Sequence, residues 1–316
     1  MLSRTASDLY WMSRYLERAE NLARMLEVSY SLSLMPQAGR TDGRAELAMS
    51  LLAAGTLDDY NERYGELNTE RMLHFFALDE TNPGSIYCCL QAARANAHAV
   101  RGRITADMWE NINATWLEMR NIASNGLARY GISHFCEWVK ERSHLFRGAT
   151  SGTIMRNDAY CFIRLGTFLE RADNTLRLLD ARYEMFGEES EEVSDNSARG
   201  YYQWSALLRA LSSFEAFNEI YRNAPGAEQV SEMLLLRSDV PRSLHACIEE
   251  LDHILASLPG SNGRAAQRLA AELNARLRYT GIDEILGFGL HLWLTDFISQ
   301  VRHLGQTVHE SYLEAV

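Results

Sequence analysis

One charged phrase occurs twice in this 316-residue sequence, and it constrains the fold more than any other feature. It reads YLERAENLARML at residues 15–26 and FLERADNTLRLL at residues 168–179. Apolar residues recur at spacings of three and four through both copies, which is the period of an amphipathic helix with one buried stripe. The positions are Leu9, Met12, Leu16, Ala19, Ala23 and Leu26 in the first copy, and Leu165, Leu169, Ala172, Leu176 and Leu179 in the second. The phrase therefore predicts two long helices.

Helical periodicity continues through most of the remaining sequence. The chain has only 5 prolines, so long helices are permitted. No segment combines strict alternation of apolar and polar residues with a two-residue Asn-Gly or Asp-Gly turn, which would indicate a β-hairpin. We therefore predict an all-α fold, a multi-helix bundle.

Three matches between the two halves of the chain indicate an internal duplication. Glu17 matches Glu170 at an offset of 153, residues 60–64 match 217–221 at an offset of 157, and PGSI at 83–86 matches PRSL at 241–244 at an offset of 158. A chance similarity would not keep the same order and a nearly constant offset. The sequence predicts two tandem pseudo-repeats of about 155 residues. We assign them to residues 1–150 and 151–316 within one compact unit.

Local signals predict several element boundaries. Residues 36–44 and the acid-rich residues 187–200 are predicted to be polar loops, the second of them solvated and mobile. Asp239 is placed as an N-cap and Pro241 as an early helix residue, before a helix that continues to Ala256. A long amphipathic helix near residues 283–313 closes the chain, with an interruption expected at residues 287–289.

Charge and cysteine content exclude some classes of function. The net charge of −11 argues against a general nucleic-acid binder or a binder of anionic membranes, because both need a basic surface. The sequence has no leader-like start and no run of about 18 apolar residues, so we expect a cytoplasmic protein. Its 5 cysteines form no C-x-x-C pair and are expected to be buried thiols.

The repeated phrase supplies the candidate site. On a helical wheel the polar positions of the first copy face away from the apolar stripe, and Glu20 lies at the border, as Asp173 does in the second copy. These two border carboxylates are the acids most expected to be partly buried. The candidate residues are Tyr10, Arg14, Glu17, Arg18, Glu20, Asn21 and Arg24 in the first helix, and Glu170, Arg171, Asp173, Asn174 and Arg177 in the second.

Three interpretations of this polar face remain open. It could be an exposed ladder of i,i+4 pairs. It could be a buried network in which the two helices meet near a pseudo-twofold axis and each glutamate accepts from the other helix's arginine. It could line a cleft in which arginines bind a ligand carboxylate or phosphate while Glu17 or Glu170 binds an amine.

Signatures of catalysis and of metal binding are weak. Glu141 with His144 and Glu250 with His253 both read E-x-x-H, a spacing found in di-iron carboxylate bundles. The two pairs are 109 residues apart, so they are not equivalent positions of a repeat of about 155 residues. The chain has no glycine-rich phosphate loop, no H-E-x-x-H and no G-x-S-x-G. We expect no metal and no cofactor.

Four phrases together resemble the bacterial Alpha-E family: residues 2–27, residues 82–101, residues 146–180 and PRSL at 241–244. The resemblance covers essentially the whole chain and implies an all-helical protein named for its acidic residues. It also implies a gene neighbourhood with an ATP-grasp peptide-ligase-like protein, a transglutaminase-like protease and sometimes a proteasome-like β-subunit. No reaction is implied.

The resemblance can be carried over residue by residue. The family's charged phrase falls on the two sets of polar residues given above, and its middle phrase adds Arg94 and Asn96 to the candidate site. Ala95 and His98 depart from the pattern A-R-E-N-A-R, so an essential role for a glutamate there is doubtful. Thr167 stands where the first copy has Arg14.

The first functional hypothesis follows from the resemblance. The chain would be an accessory or co-catalytic helical partner of an ATP-grasp amide or peptide ligase, presenting an Arg/Glu/Asn cleft to a peptide or aminoacyl substrate. A transglutaminase-like protease is a further partner to consider. The alternatives are a stand-alone enzyme, metal-dependent or acid–base, that acts on the peptide product, and a structural adaptor without a ligand site.

Overall fold

The computed structural model describes residues 1–33, 44–186, 198–259 and 262–314, and these residues form helices and no strand, which confirms the all-α prediction. The first eight helices are α1 (Ser3–Ser33), α2 (Arg44–Ala54), α3 (Leu57–Tyr64), α4 (Thr69–Ala77), α5 (Ile86–Ala99), α6 (Ala106–Asn125), α7 (Leu127–Tyr130) and α8 (Ile132–Thr153). The next eight are α9 (Asp158–Phe186), α10 (Ala198–Ala210), α11 (Phe214–Tyr221), α12 (Ala227–Leu236), α13 (Leu244–Ser257), α14 (Arg264–Tyr279), α15 (Ile282–Phe288) and α16 (Leu290–Val308).

The two predicted polar loops lie outside the described residues, apart from Arg44 and residues 198–200, which begin α2 and α10. The predicted division at residue 150 falls inside α8. The connection to α9 is made by residues 154–157.

Within the described residues, the helices α1 to α8 correspond in order to the helices α9 to α16. Helices α3 and α11 both have 8 residues, and α5 and α13 both have 14. Positive φ angles recur at matching places: Gly55 and Ser212 follow the second helix of each half, with φ of 69° and 53°. Such parallels are what a duplication would leave, although the duplication itself stays a prediction.

Helices α1 and α9 form the centre of the bundle, and they pack against each other more extensively than any other pair of described helices. Helices α5, α8 and α10 also pack on α1, while α2, α13 and α16 pack on α9. The second helix of each half therefore contacts the long helix of the other half. Because neighbours surround α1 and α9, both their apolar stripes and much of their polar faces lie inside the protein.

The start of α13 differs from the prediction. Ser243, and not Asp239, is the N-cap, since its Oγ accepts a hydrogen bond from the backbone N–H of Ala246 at 3.0 Å. Asp239 instead pairs with Arg237 at 2.6 Å in the preceding turn. Pro241 lies before the cap, outside the helix. The prediction was wrong because Asp and Ser are both favoured cap residues, and the spacing alone did not separate them.

The end of the chain confirms the predicted interruption. Helix α15 ends at Phe288, and Gly289 has a φ of 97°, which an L-residue with a Cβ rarely adopts. Helix α16 then continues into a π-helical turn at His309–Leu313. None of the helices in the described ranges is long and apolar enough to cross a lipid bilayer.

Candidate functional site

The charged phrases of α1 and α9 lie against each other in the centre of the bundle. Three of their glutamates are almost fully buried, with exposed fractions of 2% for Glu17, 0% for Glu20 and 6% for Glu170. Burial of the border residue Glu20 was predicted, but Glu17 and Glu170 are also inside. Asp173 is partly buried, with 24% of its side chain exposed. The exposed-ladder interpretation therefore does not apply to the glutamates.

The two helices exchange ion pairs crosswise. Arg171 of α9 donates to both oxygens of Glu17 on α1, from Nε to Oε1 at 2.9 Å and from Nη2 to Oε2 at 3.1 Å. Arg18 of α1 donates to both oxygens of Glu170 on α9, from Nε to Oε1 at 2.6 Å and from Nη2 to Oε2 at 3.0 Å. Arg14 adds a third donor to Glu170 at 2.7 Å. Each glutamate therefore accepts from the other helix's arginine, as the buried-network interpretation expected.

Arg242, which lies just before α13, extends the network towards α1. Its Nη1 lies 2.9 Å from Glu17 Oε1 and donates to Asn21 Oδ1 at 2.8 Å. Its Nη2 donates to Glu20 Oε1 at 2.7 Å. The guanidinium thus fills a space bounded by three acceptors on consecutive turns of one helix. Thr175 holds the backbone, because its Oγ1 donates to the carbonyl of Arg242 at 2.8 Å.

Helix α8 completes the surroundings of Glu20. Ser143 Oγ donates to Glu20 Oε2 at 2.7 Å, and Arg147 donates to both oxygens of the same carboxylate. Arg24, one turn along α1, donates to Glu20 Oε1 from Nε at 3.0 Å. Such dense charge-assisted hydrogen bonding compensates a carboxylate that has no access to water.

These contacts keep the buried glutamates ionised. Burial alone would raise their pKa values, but the arginines outweigh it and lower the pKa of Glu170 to about 2. The pKa of Glu17 is lowered by Arg171 and Arg242 against the same effect of burial, and that of Glu20 is lowered well below its ordinary value by Arg242 and Arg147. At neutral pH all three are carboxylates of low basicity.

An open cleft lies beside this network, on the side of α9 that faces α2 and the start of α5. It has a volume of about 360 Å³ and receives Arg18, Glu170, Asp173, Asn174 and Arg177 from the two charged phrases. The first phrase also contributes Asn21 and Leu22, and the remaining walls come from Ala53, Ala54, Gly55, Thr56, Phe76, Asn82 and Gly84. A second cavity of about 410 Å³ shares Arg18, Asp173 and Arg177 with the first. Part of the polar face therefore lines an open cleft, beside a network that is otherwise closed.

A family model supplies the comparison that decides the family. The model describes Alpha-E as a predicted alpha-helical domain with a conserved ER motif, and it matches residues 1–313. This chain belongs to the Alpha-E family. Within the Alpha-E chain, the two Glu-Arg pairs of the repeated phrase are Glu17-Arg18 and Glu170-Arg171, and their four side chains are the ones that pair crosswise.

Three curated proteins are similar to this Alpha-E chain. They are uncharacterized proteins, one of Mycobacterium bovis and two of Mycobacterium tuberculosis, and each is 24% identical over 323 aligned residues. The alignment covers 95% of this chain but only 35% of each relative, so the chain spans about one third of the length of the proteins it matches. No solved structure matches the chain.

Two predicted site residues of the Alpha-E chain lie apart from the network. Arg94 of α5 donates to Asn113 at 3.2 Å and stacks over Trp109 of α6. Asn96 is half-buried on α5, and its backbone carbonyl accepts a hydrogen bond from the backbone N–H of Val100. Thr167 donates to the carbonyl of Ile163 and so does not replace the arginine of the first copy.

The residues of the two E-x-x-H pairs do not come together in one site. Glu250 pairs with Arg164 at 2.7 Å, and His144 lies 3.8 Å from Glu20 among arginines. Glu141 and His253 are exposed. Among the described residues, no group of three or more His, Cys, Asp and Glu side chains has the arrangement of a metal site.

Sequence reasoning missed Arg242, Arg147 and Ser143. Arg147 and Ser143 occupy an ordinary stretch of α8, and nothing in their spacing marks them. Arg242 did carry a signal, because it replaces the glycine of PGSI in the otherwise similar PRSL. Within the described part of the chain, the buried Nδ2 atoms of Asn21 and Asn174 have no hydrogen-bond partner, which marks this part of the interface as incompletely satisfied.

Proposed function

We propose that this chain is an accessory or co-catalytic helical partner of an ATP-grasp amide or peptide ligase, and that it presents the charged cleft to a peptide or aminoacyl substrate. The observation that carries the proposal is the open cleft of about 360 Å³ lined by the repeated charged phrases. The ligase enters through the gene neighbourhood that membership of the Alpha-E family implies.

The geometry favours binding over proton transfer. A general acid or base works best with a pKa near the operating pH, whereas the pKa of Glu170 is about 2. The arginine donors also stabilise the buried glutamates in their ionised form, which makes them poor proton acceptors. A fixed array of charges is suited to orienting a ligand.

The cleft offers both signs of charge within reach of one ligand. Arg177 and Asp173 form an i,i+4 pair at 2.7 Å, and their side chains are 30% and 24% exposed. A peptide or aminoacyl group carries hydrogen-bond donors, acceptors and charged termini. The partly exposed pair can exchange its mutual contact for contacts to such a ligand at modest cost, because exposed ion pairs contribute only about 0–1 kcal/mol.

Reconstitution with the ATP-grasp ligase of the same organism tests this function. We expect the purified chain to bind the ligase and to increase its substrate-dependent ADP release, and we expect Arg177→Ala or Asp173→Asn to remove that increase. Arg268→Ala is the matched control, since Arg268 forms an i,i+4 pair with Glu272 on the exposed face of α14. Equal ADP release with and without the chain would reject the partnership.

Glu17 and Glu170 are unsuitable for this test because they lie inside the folded protein. Their substitution changes folding stability together with the cleft. Asp173 and Arg177 are partly exposed, so helicity by circular dichroism should be the same in their variants and in the wild type.

A further inference from the structure

Gly84 and Arg242 occupy the same position in two similar helix starts. Each follows a proline and precedes a capping serine: Ser85 accepts from the N–H of Cys88 at 3.2 Å, and Ser243 accepts from the N–H of Ala246 at 3.0 Å. The two caps have nearly the same backbone, with φ and ψ of −62° and 156° at Ser85 and −67° and 156° at Ser243. In the second half this residue is Arg242, whose side chain extends to α1. In the first half it is Gly84, which lines the cleft beside α9 and has no side chain.

Beside α1, the Arg242 side chain fills the space that corresponds to the open cleft beside Gly84. The Arg242 guanidinium contacts Glu17 Oε1, Glu20 Oε1 and Asn21 Oδ1, all on α1. The cleft beside Gly84 is lined by the corresponding residues of the second phrase, in the same order along α9. These residues are Glu170, Asp173 and Asn174.

Among the described residues, the unused acceptor capacity of the α9 carboxylates in the cleft is confined to Glu170 Oε1 and Asp173, because Glu170 Oε2 already receives Arg18 Nη2 and both Nε and Nη2 of Arg14. Glu17 Oε1 lies within 2.9 Å of two arginine donors, one from Arg171 and one from Arg242. Among the described residues, Glu170 Oε1 accepts only from Arg18 Nε, at 2.6 Å. Asp173 Oδ2 likewise accepts only from Arg177 Nε, at 2.7 Å, within the described part of the chain.

We propose that the cleft beside Gly84 binds the guanidinium group of a ligand, such as the arginine side chain of a peptide, in the arrangement that Arg242 has on the other side. The proposal deepens the proposed function, because it names the chemical class that the cleft of the ligase partner would recognise. The carboxylates of Glu170 and Asp173 accept hydrogen bonds from the guanidinium nitrogens of the ligand, and Asn174 accepts through its side-chain carbonyl.

The parallel with Arg242 favours a cation in this cleft, whose lining carries two arginines and two carboxylates. Arg18 uses Nε and Nη2 on Glu170, and Arg177 uses Nε on Asp173. A guanidinium would add donors to Glu170 Oε1 and to Asp173, which still have free lone pairs, without displacing these arginines.

A calorimetric titration of the full chain tests the proposal directly. The probe is N-acetyl-argininamide, and N-acetyl-citrullinamide is its neutral control, because citrulline has the same shape without the charge. Inorganic phosphate serves as the anionic control. We expect saturable 1:1 binding of the arginine probe, binding of the citrulline probe that is about tenfold weaker or more, and no competition by phosphate.

Gly84→Arg is the decisive variant, since it would supply the missing side chain from the protein itself. Gly84 is not among the glycines with positive φ, and a Cβ there would meet only Asn82 Oδ1 at 3.2 Å. We expect Gly84→Arg to abolish binding of the probe. Gly102→Arg is the matched control with the same change of charge, because a Cβ at the exposed Gly102 meets nothing within 4 Å.

Each contrary result would overturn the proposal. Equal binding of the two probes, displacement by phosphate, or undiminished binding by a folded Gly84→Arg variant rejects a guanidinium site at this cleft. If Gly84→Arg does not fold, Asp173→Asn decides instead, with affinity expected to fall about tenfold or more and unchanged affinity rejecting the site. No ligase is present in the titration. A chain that binds the probe but fails to stimulate the ligase therefore keeps the binding site and loses only the partnership.

Discussion

Arg171 donates to both carboxylate oxygens of Glu17, at 2.9 Å and 3.1 Å, although the two residues lie 154 positions apart in the chain. The reciprocal pair, Arg18 with Glu170, has the same bidentate form. Pairs of this kind hold α1 and α9 in one register, because a shift along either helix would leave charges without partners.

The first prediction concerns the loss of one buried charge. Glu17→Gln should lower the free energy of unfolding by about 3–5 kcal/mol, because it leaves the buried Arg171 without its carboxylate partner and removes one of the two carboxylates that Arg242 contacts. Urea denaturation followed by circular dichroism measures the change. Glu272→Gln, at a side chain that is 63% exposed, should change the same quantity by less than about 0.5 kcal/mol. Similar losses in both variants would contradict a special role for the buried pair.

The second prediction concerns Arg242. Arg242→Ala should destabilise the protein by about 3–5 kcal/mol, since Glu17 and Glu20 would share a buried space with fewer cations. Arg237→Ala, five residues earlier and in an exposed pair with Asp239, is the control and should have a small effect. The same denaturation experiment distinguishes the two, and equal midpoints would show that Arg242 is dispensable.

The third prediction concerns pH. The pKa of Glu170 is lowered from an ordinary 4.5 to about 2, so its ion pairs contribute stability that is complete above pH 4.5 and is lost as the pH falls towards 2. The lowered pKa values of Glu17 and Glu20 act in the same direction. The melting temperature should fall through this acidic window, and Glu170→Gln should make the fall shallower. A wild type whose melting temperature is constant down to pH 3 would be inconsistent with these pairs.

The fourth prediction concerns thiol reactivity. Burial raises the pKa of Cys89, Cys136 and Cys247 to about 12, and all three side chains are inaccessible. They should resist N-ethylmaleimide in the native protein and react after unfolding, because the thiolate is the reactive form. Peptide mass spectrometry after timed labelling gives the rate at each position. Labelling of Cys247 as fast as that of the half-buried Cys161 would show that the interior is open near α13.

The fifth prediction concerns the start of α13. Ser243→Ala should cost about 1 kcal/mol of stability, the usual loss for a capping serine, because the N–H of Ala246 would lose its acceptor. Asp239→Ala should cost less, since its side chain is 63% exposed and bonds only within the preceding turn. Thermal denaturation of the two variants orders the effects. The reverse order would restore Asp239 as the cap.

Much of the architecture was predictable from local patterns. The spacing of apolar residues predicted α1 and α9, and the glycines at 287–289 predicted the break before α16. The crossed pairing of glutamates and arginines was one of three interpretations. It could not be chosen from the sequence, because the wheel of one helix does not show which neighbours cover its polar face.

The residues that were missed depend on tertiary packing. Arg242 reaches Glu20 across 222 positions of sequence, and Arg147 reaches it from α8. Neither distance can be read from spacing along one helix. A cleft was one of the three interpretations, but its position could not be predicted, because its walls come from α1, α2 and the residues before α5 as well as from α9.

The short connection at residues 154–157 joins two halves of the chain. The buried glutamates of each half are neutralised by arginines of the other half. A chain cleaved there would give one fragment holding Glu17 without Arg171 and Arg242, and another holding Glu170 without Arg14 and Arg18. Neither fragment could complete its own interior, but each carries the groups that the other lacks. The ion pairs exchanged between the halves would therefore let the separated fragments bind each other specifically and reassemble.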